Sequence, residues 1–315
     1  MASLHSLWFL LSLSCTSLWG VSHTRHEILG LGSAFIDYIL KVSEEDLSSL
    51  RYAKGSSEPI DYTHLQSLLN KHPKEIKSSS GGSCANVIKG LAKLGQRCAV
   101  LGNIGSDAHG LFYLKSLKDL DIVPFVQEGI LPTGQALCLI TPDGEMTSRS
   151  YLGASKEDFP INGKIFHKIK LFHVEAYQLR NCAFLKEALD LAQKQEAKIS
   201  LDLSNVDIVK IYKDDLLNII PRYIDILFAN ESEAFELTHL PPQEACDFLG
   251  TFCEVVAITM GDKGCWVKSG KIKFYTPALN VVSVDPTGAG DLFASGFLHG
   301  YLNNKSLQAC AWLGS

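Results

Sequence analysis

The chain has 315 residues, of which 46% are hydrophobic and 20% charged, and its formal net charge is −5 at pH 7. These proportions are those of a globular protein and exclude a disordered, collagen-like or coiled-coil chain. The negative charge provides no field that attracts nucleic acid or an anionic membrane, so neither is expected as a partner. The nine cysteines form no CxxC pair, which indicates reduced thiols and a cytoplasmic protein.

The first 25 residues are expected to lie outside the fold, as a leader or a non-native extension. They carry a short apolar run at residues 7–11 and then a serine-rich stretch. No Lys or Arg precedes the run, and the run is too short to span a membrane. An export signal is the alternative, but the scattered cysteines favour the cytoplasm. The folded domain is therefore predicted over residues 26–315.

From residue 26 onward, apolar runs typical of buried strands alternate with stripes typical of helices. Strands are predicted at residues 27–31, 35–42, 98–101, 122–126, 136–141, 148–152, 170–174, 198–203, 224–228, 254–259 and 272–275. Helices are predicted at residues 83–94, 106–120 (capped by Ser106), 180–194, 206–220 and 289–301. This order indicates an α/β fold: a doubly wound, mainly parallel sheet with helices on both faces. Hairpin-like strands at about 35–60 and 122–152, the second around the turn at residues 142–144, predict a small β lid.

The strongest local signal is the glycine-rich segment at residues 284–293 (VDPTGAGDLF). Gly288, Ala289 and Gly290 open a predicted helix, whose first backbone amides converge with partial positive charge. Asp291 follows in the first turn, where the helix dipole favours its ionised form. An ionised carboxylate beside an anion cradle suits phosphoryl transfer to a hydroxyl, because the carboxylate can accept the proton. A helix cap beside a tight turn is the structural alternative.

Several other active-site patterns are absent from the sequence. The chain has no GxxxxGK[ST] loop, no HExxH or zinc-spaced Cys/His cluster, and no GxSxG elbow. Residues 30–32 (GLG) lack the third glycine of a dinucleotide fingerprint, so a reductase is only a remote alternative.

Six segments, in the expected order, resemble the motifs of the ribokinase-like (PfkB) carbohydrate and nucleoside kinases. They are Gly32 with Asp37, and residues 81–87 (GGSCANV), 102–110 (GNIGSDAHG), 230–233 (NESE), 259–264 (TMGDKG) and 285–291 (DPTGAGD). The resemblance covers residues 26–315, and the fold that it implies agrees with the pattern described above.

The resemblance implies a role for each matching position. Asp291 would be the general base, and the backbone of Gly288, Ala289 and Gly290 the anion hole. The remaining positions would bind the acceptor (Asp37, Gly81, Gly82, Asn86), ATP (Thr259, Gly261, Gly264, Asn230) and, through water, Mg²⁺ (Glu233). Asn230 and Glu233 also fit a helix cap with its first-turn acid, and the two glycines at 81 and 82 fit a hinge.

Residues 133–136, 152–154, 202–205 and 223–231 are most similar to the adenosine kinase branch, which implies phosphorylation of adenosine to AMP by ATP. Ribokinase or another sugar kinase is the alternative, and a non-catalytic pseudokinase the remote one. The resemblance further implies a small-molecule acceptor and either a monomer or a lid-mediated homodimer.

Two departures from the family pattern stand out. Adenosine kinases commonly carry an arginine after the turn at residues 143–144, where this chain has Met146; Arg149, three residues on, is predicted to face the other side of the sheet. Family members also continue beyond the helix that ends near residue 314, so the chain is expected to be truncated at its C-terminal end.

Overall fold

The computed structural model describes residues 26–71, 76–281 and 287–315. The predicted leader and residues 285 and 286 of the glycine-rich motif lie outside the described residues. Within these ranges, no helix combines the length and apolar character needed to cross a membrane.

The described strands fall into two sheets. In chain order they are β1 (Ile28–Leu31), β2 (Phe35–Lys41), β3 (Ser57–Pro59), β4 (Lys77–Gly81), β5 (Cys98–Gly105), β6 (Val123–Gly129), β7 (Gly134–Ile140), β8 (Met146–Tyr151), β9 (Leu171–Glu175), β10 (Lys198–Asp202), β11 (Ile226–Asn230), β12 (Val255–Thr259), β13 (Cys265–Ser269) and β14 (Ile272–Thr276). The helices are α1 (Glu44–Ser49), α2 (Tyr62–Leu69), α3 (Ser83–Lys93), α4 (Ala108–Lys118), α5 (Cys182–Gln193), α6 (Val206–Ile211), α7 (Lys213–Tyr223), α8 (Glu231–Thr238), α9 (Pro242–Leu249), α10 (Ala289–Leu302) and α11 (Leu307–Gly314).

The main sheet has the order β14-β13-β12-β11-β10-β9-β1-β5-β6 among the described strands. It is parallel from β12 to β6, whereas β13 and β14 extend one edge as antiparallel strands. From the neighbours β1 and β9, the chain adds strands outward in both directions. This reversal opens a crevice at the carboxyl ends of β1 and β9, the place where open α/β sheets bind ligands.

Helices cover both faces of the main sheet, which explains why its strands are almost continuously apolar. One core packs the sheet against α5 to α9 and includes Phe172, Leu189 and Leu227. The other packs it against α3, α4, α10 and α11 and includes Ile88 and Phe297. The predicted doubly wound α/β fold is confirmed.

The second sheet is a five-stranded lid with the order β3-β8-β7-β2-β4. Its outer face packs against α1 and α2 through a leucine cluster that includes Leu47, Leu65 and Leu139. Its inner face carries the smaller apolar group Phe35, Ala136 and Cys138. The turn at residues 142–144 joins β7 to β8 as an antiparallel hairpin, with Gly144 at φ +85°.

The structure corrects several predicted elements. The strand predicted at 122–126 is β6, and it pairs with β5 in the main sheet rather than lying in the lid, because an apolar run does not reveal its partner strand. The lid also extends past residue 60, since β4 pairs with β2. The helix predicted from Ser106 begins at Ala108, because the side chain of Asp107 caps it by accepting from the amide of Gly110. The helix predicted at 206–220 is two helices separated at Tyr212, and α1, α2, α9 and β13 were not predicted.

Candidate active site

A cavity of about 530 Å³ lies between the carboxyl ends of the central strands and the inner face of the lid. The main sheet contributes Glu175 and Asp202, the last residues of β9 and β10, to its wall. The lid contributes Asp37 and Met146 from the opposite side, and Asp291 lies at the start of α10. The cavity therefore occupies the crevice where the strand order reverses.

The Asp291 carboxylate is held on both sides by the first turn of α3. Oγ of Ser83 donates to Oδ1 at 2.8 Å, and Nδ2 of Asn86 donates to Oδ2 at 2.9 Å. Burial, together with the charge of Asp202, raises the pKa of Asp291 from 3.8 to about 8, although the two hydrogen bonds oppose the shift. A positioned carboxyl with a pKa near neutrality matches the requirements of a general base.

The amino end of α10 faces the same cavity. Gly288 adopts a left-handed conformation at φ +74°, and no side chain among the described residues caps the helix there. Outside its own stretch of α10, a Cβ atom built on Gly290 would meet none of the described atoms within 4 Å. Gly288, Ala289 and Gly290 all line the cavity, so the start of the helix presents free space in front of its first amides.

On the lid side, Asp37 of β2 points into the cavity beside Gly81. A Cβ atom at residue 81 would overlap the carboxylate of Asp37, so glycine here leaves room for that side chain. Burial raises the pKa of Asp37 from 3.8 to about 6, partly opposed by the charge of Lys89. Gly82 follows at φ +98° and begins α3.

Asn230 and Glu233 form a capping box at the start of α8. Oδ1 of Asn230 accepts from the amides of Ser232 and Glu233, and Oε2 of Glu233 accepts from the amide of Asn230 at 2.8 Å. The helix cap that the sequence also predicted for Asn230 and Glu233 is therefore present. Both residues also line the cavity, and Glu233 is 4% exposed, so the cap holds a buried carboxylate toward the site.

The cavity wall is strongly acidic. Among the described lining residues, seven carboxylates are accompanied by one basic side chain, Arg180. Burial raises the pKa values of Glu175, Asp202 and Glu233. The charge of Glu233 further raises the pKa of Asp202, and the charge of Asp291 further raises that of Glu233. Such a wall has the oxygen donors that a hard cation prefers. No three His, Cys, Asp or Glu side chains in the described ranges are close enough together to chelate an ion, so a cation there would take most of its ligands from water or substrate.

A family model for pfkB family carbohydrate kinases matches residues 54–315. The chain belongs to the pfkB family. It is 30% identical over 249 residues to a cytidine kinase of Thermococcus kodakarensis, covering 74% of this chain and 84% of that protein. Its structure is similar to that of an adenosine kinase from Sinorhizobium meliloti, with a TM-score of 0.86, 29% identity, and 92% and 91% of the two chains covered. A probable sugar kinase from Rhizobium etli gives a TM-score of 0.87 at 30% identity, with the same coverage.

These comparisons confirm the predicted family and the predicted activity class. The protein is a pfkB-family sugar or nucleoside kinase, which acts on a small molecule, and kinases of this family imply ATP as the phosphate donor.

Most of the site residues predicted for this pfkB kinase converge on the one cavity. The predicted residues that line it are Asp37, Gly82, Asn86, Asn230, Glu233, Thr259, Gly288, Ala289, Gly290 and Asp291. Gly81, Gly261 and Gly264 are not among the described lining residues. Gly261 (φ +58°) and Gly264 (φ +106°) shape the turn between β12 and β13, where a Cβ on residue 264 would overlap the carbonyl oxygen of Thr276.

Ser83, Glu175 and Asp202 line the cavity but were not predicted as site residues from the sequence. The signal that could have found the two acids is their position, because each is the polar last residue of an apolar parallel strand. Ser83 lies within the motif at residues 81–87, but its bond to Asp291 links positions 208 residues apart and leaves no local pattern.

Met146 and Arg149 face opposite sides of the lid, as their spacing predicts. Met146 lines the cavity, whereas Arg149 is 1% exposed and stacks over the ring of Tyr52 at 3.9 Å. The Arg149 guanidinium also donates to the carbonyl oxygen of Ser148 at 2.7 Å and to Oγ of Ser56 at 3.1 Å. The arginine of β8 is thus used inside the lid and not at the cavity.

Proposed function

We propose that this pfkB kinase transfers the γ-phosphoryl group of ATP to the 5′-hydroxyl of a nucleoside, with adenosine, giving AMP, as the first candidate. The proposal rests mainly on the position of Asp291. Its carboxylate is held by Ser83 and Asn86 in the cavity wall, directly after the uncapped helix start at residues 288–290.

In the proposed reaction Asp291 removes the proton of the acceptor hydroxyl as the hydroxyl oxygen forms a bond to the γ-phosphorus. The bond from that phosphorus to the bridging oxygen breaks, and its electron pair leaves with ADP. The amides at the start of α10 stabilise the charge on the transferring group. Asp37 and the backbone of Gly82 would hydrogen-bond the acceptor's other hydroxyls.

The acidic wall supports Mg²⁺ as the accompanying cation. Glu233 and Asn230 would hold the ion through water, with the phosphates of ATP supplying most of the direct ligands. When bound, the ion would offset negative charge on the phosphates. The buried acids Asp202 and Glu233 fit this role, because the described lining offers only Arg180 as a counter-charge.

A nucleoside is favoured over a free sugar by the apolar inner face of the lid. Phe35, Ala136, Cys138 and Leu152 line the cavity, and such a wall suits the flat, weakly polar surface of a base better than a hydroxylated ring. A sugar acceptor remains the second candidate, because Met146 stands where adenosine kinases commonly carry arginine.

The test is a panel of acceptors with ATP and Mg²⁺, scored by ADP release and by detection of the phosphorylated product. Adenosine, cytidine and ribose are compared at equal concentration, with an acceptor-free reaction to subtract ATP hydrolysis. Adenosine is expected to give the highest kcat/KM. Ribose exceeding both nucleosides would replace the nucleoside assignment by the sugar one, and no turnover of any hydroxyl acceptor would contradict the proposal.

A further inference from the structure

The Glu175 carboxylate lies at the point where the lid joins the main sheet. The chain enters the lid from β1 through residues 32–34, and returns from β4 to α3 through Gly82. These two crossings touch each other, because a Cβ atom on Gly82 would overlap the carbonyl oxygen of Ser33.

Glu175 binds both crossings with one carboxylate. The amide of Ser33 donates to Oε1 at 2.7 Å, and the amide of Cys84 donates to Oε2 at 2.8 Å. Nε2 of Gln178 lies 3.3 Å from Oε1 and also donates to Oγ of Ser33 at 3.2 Å. Glu175 is completely buried, so these bonds form with little competition from water.

Gly32 makes room for this arrangement. A Cβ atom there would overlap the side chain of Cys84 and lie 2.9 Å from Oε2 of Glu175. The glycine pair at residues 30–32, which carries no dinucleotide fingerprint, therefore has a structural purpose beside this carboxylate.

Each crossing leads directly to a group of the proposed reaction. Ser33 lies four residues before Asp37, which faces the acceptor pocket from the lid. Cys84 lies in the turn of α3 whose Ser83 and Asn86 hold Asp291. A single buried group thus bridges the acceptor side and the base side of the cavity.

We propose that Glu175 is a positioning residue that couples the lid hinge to the orientation of Asp291; this inference rests on the proposed function. The two amides that Glu175 binds belong to the two crossings, so the role assigned to Glu175 is to hold the crossings together. Its loss would loosen Asp37 and Asp291 relative to each other, and so would affect acceptor binding and turnover rather than ATP binding.

The second pair of lid crossings supplies a matched control. Between β6 and β7, the amides of Ile130 and Leu131 donate to the carboxylate of Glu157 at 2.9 and 2.6 Å. Glu157 therefore also binds two backbone amides at a hinge of the lid. Unlike Glu175, it does not line the described cavity and does not bind α3.

The experiment compares Glu175→Gln, Glu175→Asp and Glu157→Gln in the full chain, using the best acceptor of the panel. Glu175→Gln should raise the acceptor KM and lower kcat by about tenfold each, the scale of one lost charge-assisted hydrogen bond, with the ATP KM within twofold. Glu175→Asp should not restore the wild-type acceptor KM and kcat, because a side chain one methylene shorter cannot reach both amides. Glu157→Gln should keep the acceptor KM and kcat within twofold.

Amide hydrogen exchange provides a readout that does not depend on catalysis. Exchange at Ser33 and Cys84 should accelerate in Glu175→Gln relative to wild type and remain unchanged in Glu157→Gln. If Glu175→Gln does not fold, Gln178→Met tests the same clamp by removing the supporting bonds at its edge, with an expected two- to threefold rise in the acceptor KM. Wild-type kinetic constants and unchanged exchange at both amides in a folded Glu175→Gln would overturn the proposal. A wild type that phosphorylates no acceptor would instead refute the proposed function, and the exchange experiment would still test the clamp.

Discussion

Nδ2 of Asn86 donates a hydrogen bond to Oδ2 of Asp291 at 2.9 Å, joining the first turns of α3 and α10. With Ser83 on Oδ1, it fixes the plane of the carboxylate in the cavity wall. Asn86 was expected from the family resemblance to bind an acceptor hydroxyl, but its amide is directed at the base. We therefore expect Asn86 to influence the orientation of Asp291 as well as the acceptor.

The first prediction is that Asp291→Asn lowers kcat by at least about 100-fold while changing the acceptor KM by less than threefold. The amide keeps the shape of the side chain but cannot accept the hydroxyl proton. Steady-state ADP release measures the loss. Asp247→Asn, at an exposed carboxylate paired with Lys268 and Lys273, is the control and should leave kcat unchanged. Near-normal turnover of Asp291→Asn would remove this residue from the role of base.

The same Asp291→Asn variant should be more stable than wild type at pH 8, by up to about 5 kcal/mol, since each pKa unit of the upward shift corresponds to about 1.4 kcal/mol. The folded pKa of Asp291 is raised to about 8, above the unfolded value of 3.8, so the folded state binds this proton more tightly. The ionised carboxyl therefore destabilises the fold at pH 8, and this effect fades as the pH falls toward 4. Thermal unfolding at both pH values checks this: a gain in Tm as large at pH 4 as at pH 8 would contradict it.

The raised pKa values also predict the pH dependence of activity. The base acts only when ionised, so kcat/KM for the acceptor should fall about tenfold per pH unit below pH 8, the pKa of Asp291. The fall should steepen below about pH 6, where Asp37 also becomes protonated. Rates between pH 5 and 9 measure the profile. The residual kcat/KM of Asp291→Asn should not begin to fall near pH 8. If the fall near pH 8 persists in this variant, it belongs to another group.

Sequence patterns predicted the fold, and most of the predicted site residues line the described cavity, because those features are local. The apolar strands end in polar residues, and glycines mark the turns at residues 81–82 and 288–290. The partner of β6 could not be predicted, because an apolar run does not reveal which strand it pairs with. The bonds that hold Asp291 could not be predicted either, since they join residues that lie 208 and 205 positions apart. Glu175 was missed for the same reason: its two amide partners lie 142 and 91 residues away.

A valine at residue 290 should abolish most activity without unfolding the protein. Gly290 has no strained backbone angle, and a Cβ there meets no described atom within 4 Å outside its own stretch of α10. Because Gly290 lines the cavity, we expect the branch to occupy space that the phosphoryl group needs. We expect kcat to fall about 100-fold, with Tm changed by less than about 4 °C. Gly288→Ala is the contrasting variant. It should lower stability, because residue 288 has a φ of +74°, which strains any residue that has a side chain. Unchanged rates in Gly290→Val would mean that the turn is only structural.

Gly81→Ala should act through Asp37 rather than through the backbone. The new methyl group would displace the Asp37 carboxylate, and Gly81 has no positive φ that would strain an alanine. The acceptor KM should rise about tenfold or more, whereas the ATP KM should stay within twofold. Gly95→Ala, at a position with φ +86° and open space around it, controls for a general loss of stability. Equal KM values for wild type and Gly81→Ala would exclude Asp37 from acceptor binding.

Arg149 and Met146 lie on opposite faces of β8, so we expect Arg149 to affect stability and Met146 to affect activity. Arg149→Met should lower stability by about 2 kcal/mol, or Tm by about 4 °C, because it removes the stack on Tyr52 and the buried hydrogen bonds to Ser56 and Ser148. Its kcat should stay within twofold, since the guanidinium points away from the cavity. Met146→Arg should instead raise kcat, because its charge would enter an acidic cavity whose described lining has Arg180 as its basic side chain. Measurement of Tm and kcat for both variants separates the two roles. A large loss of kcat in Arg149→Met with unchanged Tm would show that Arg149, despite its position, serves the phosphates.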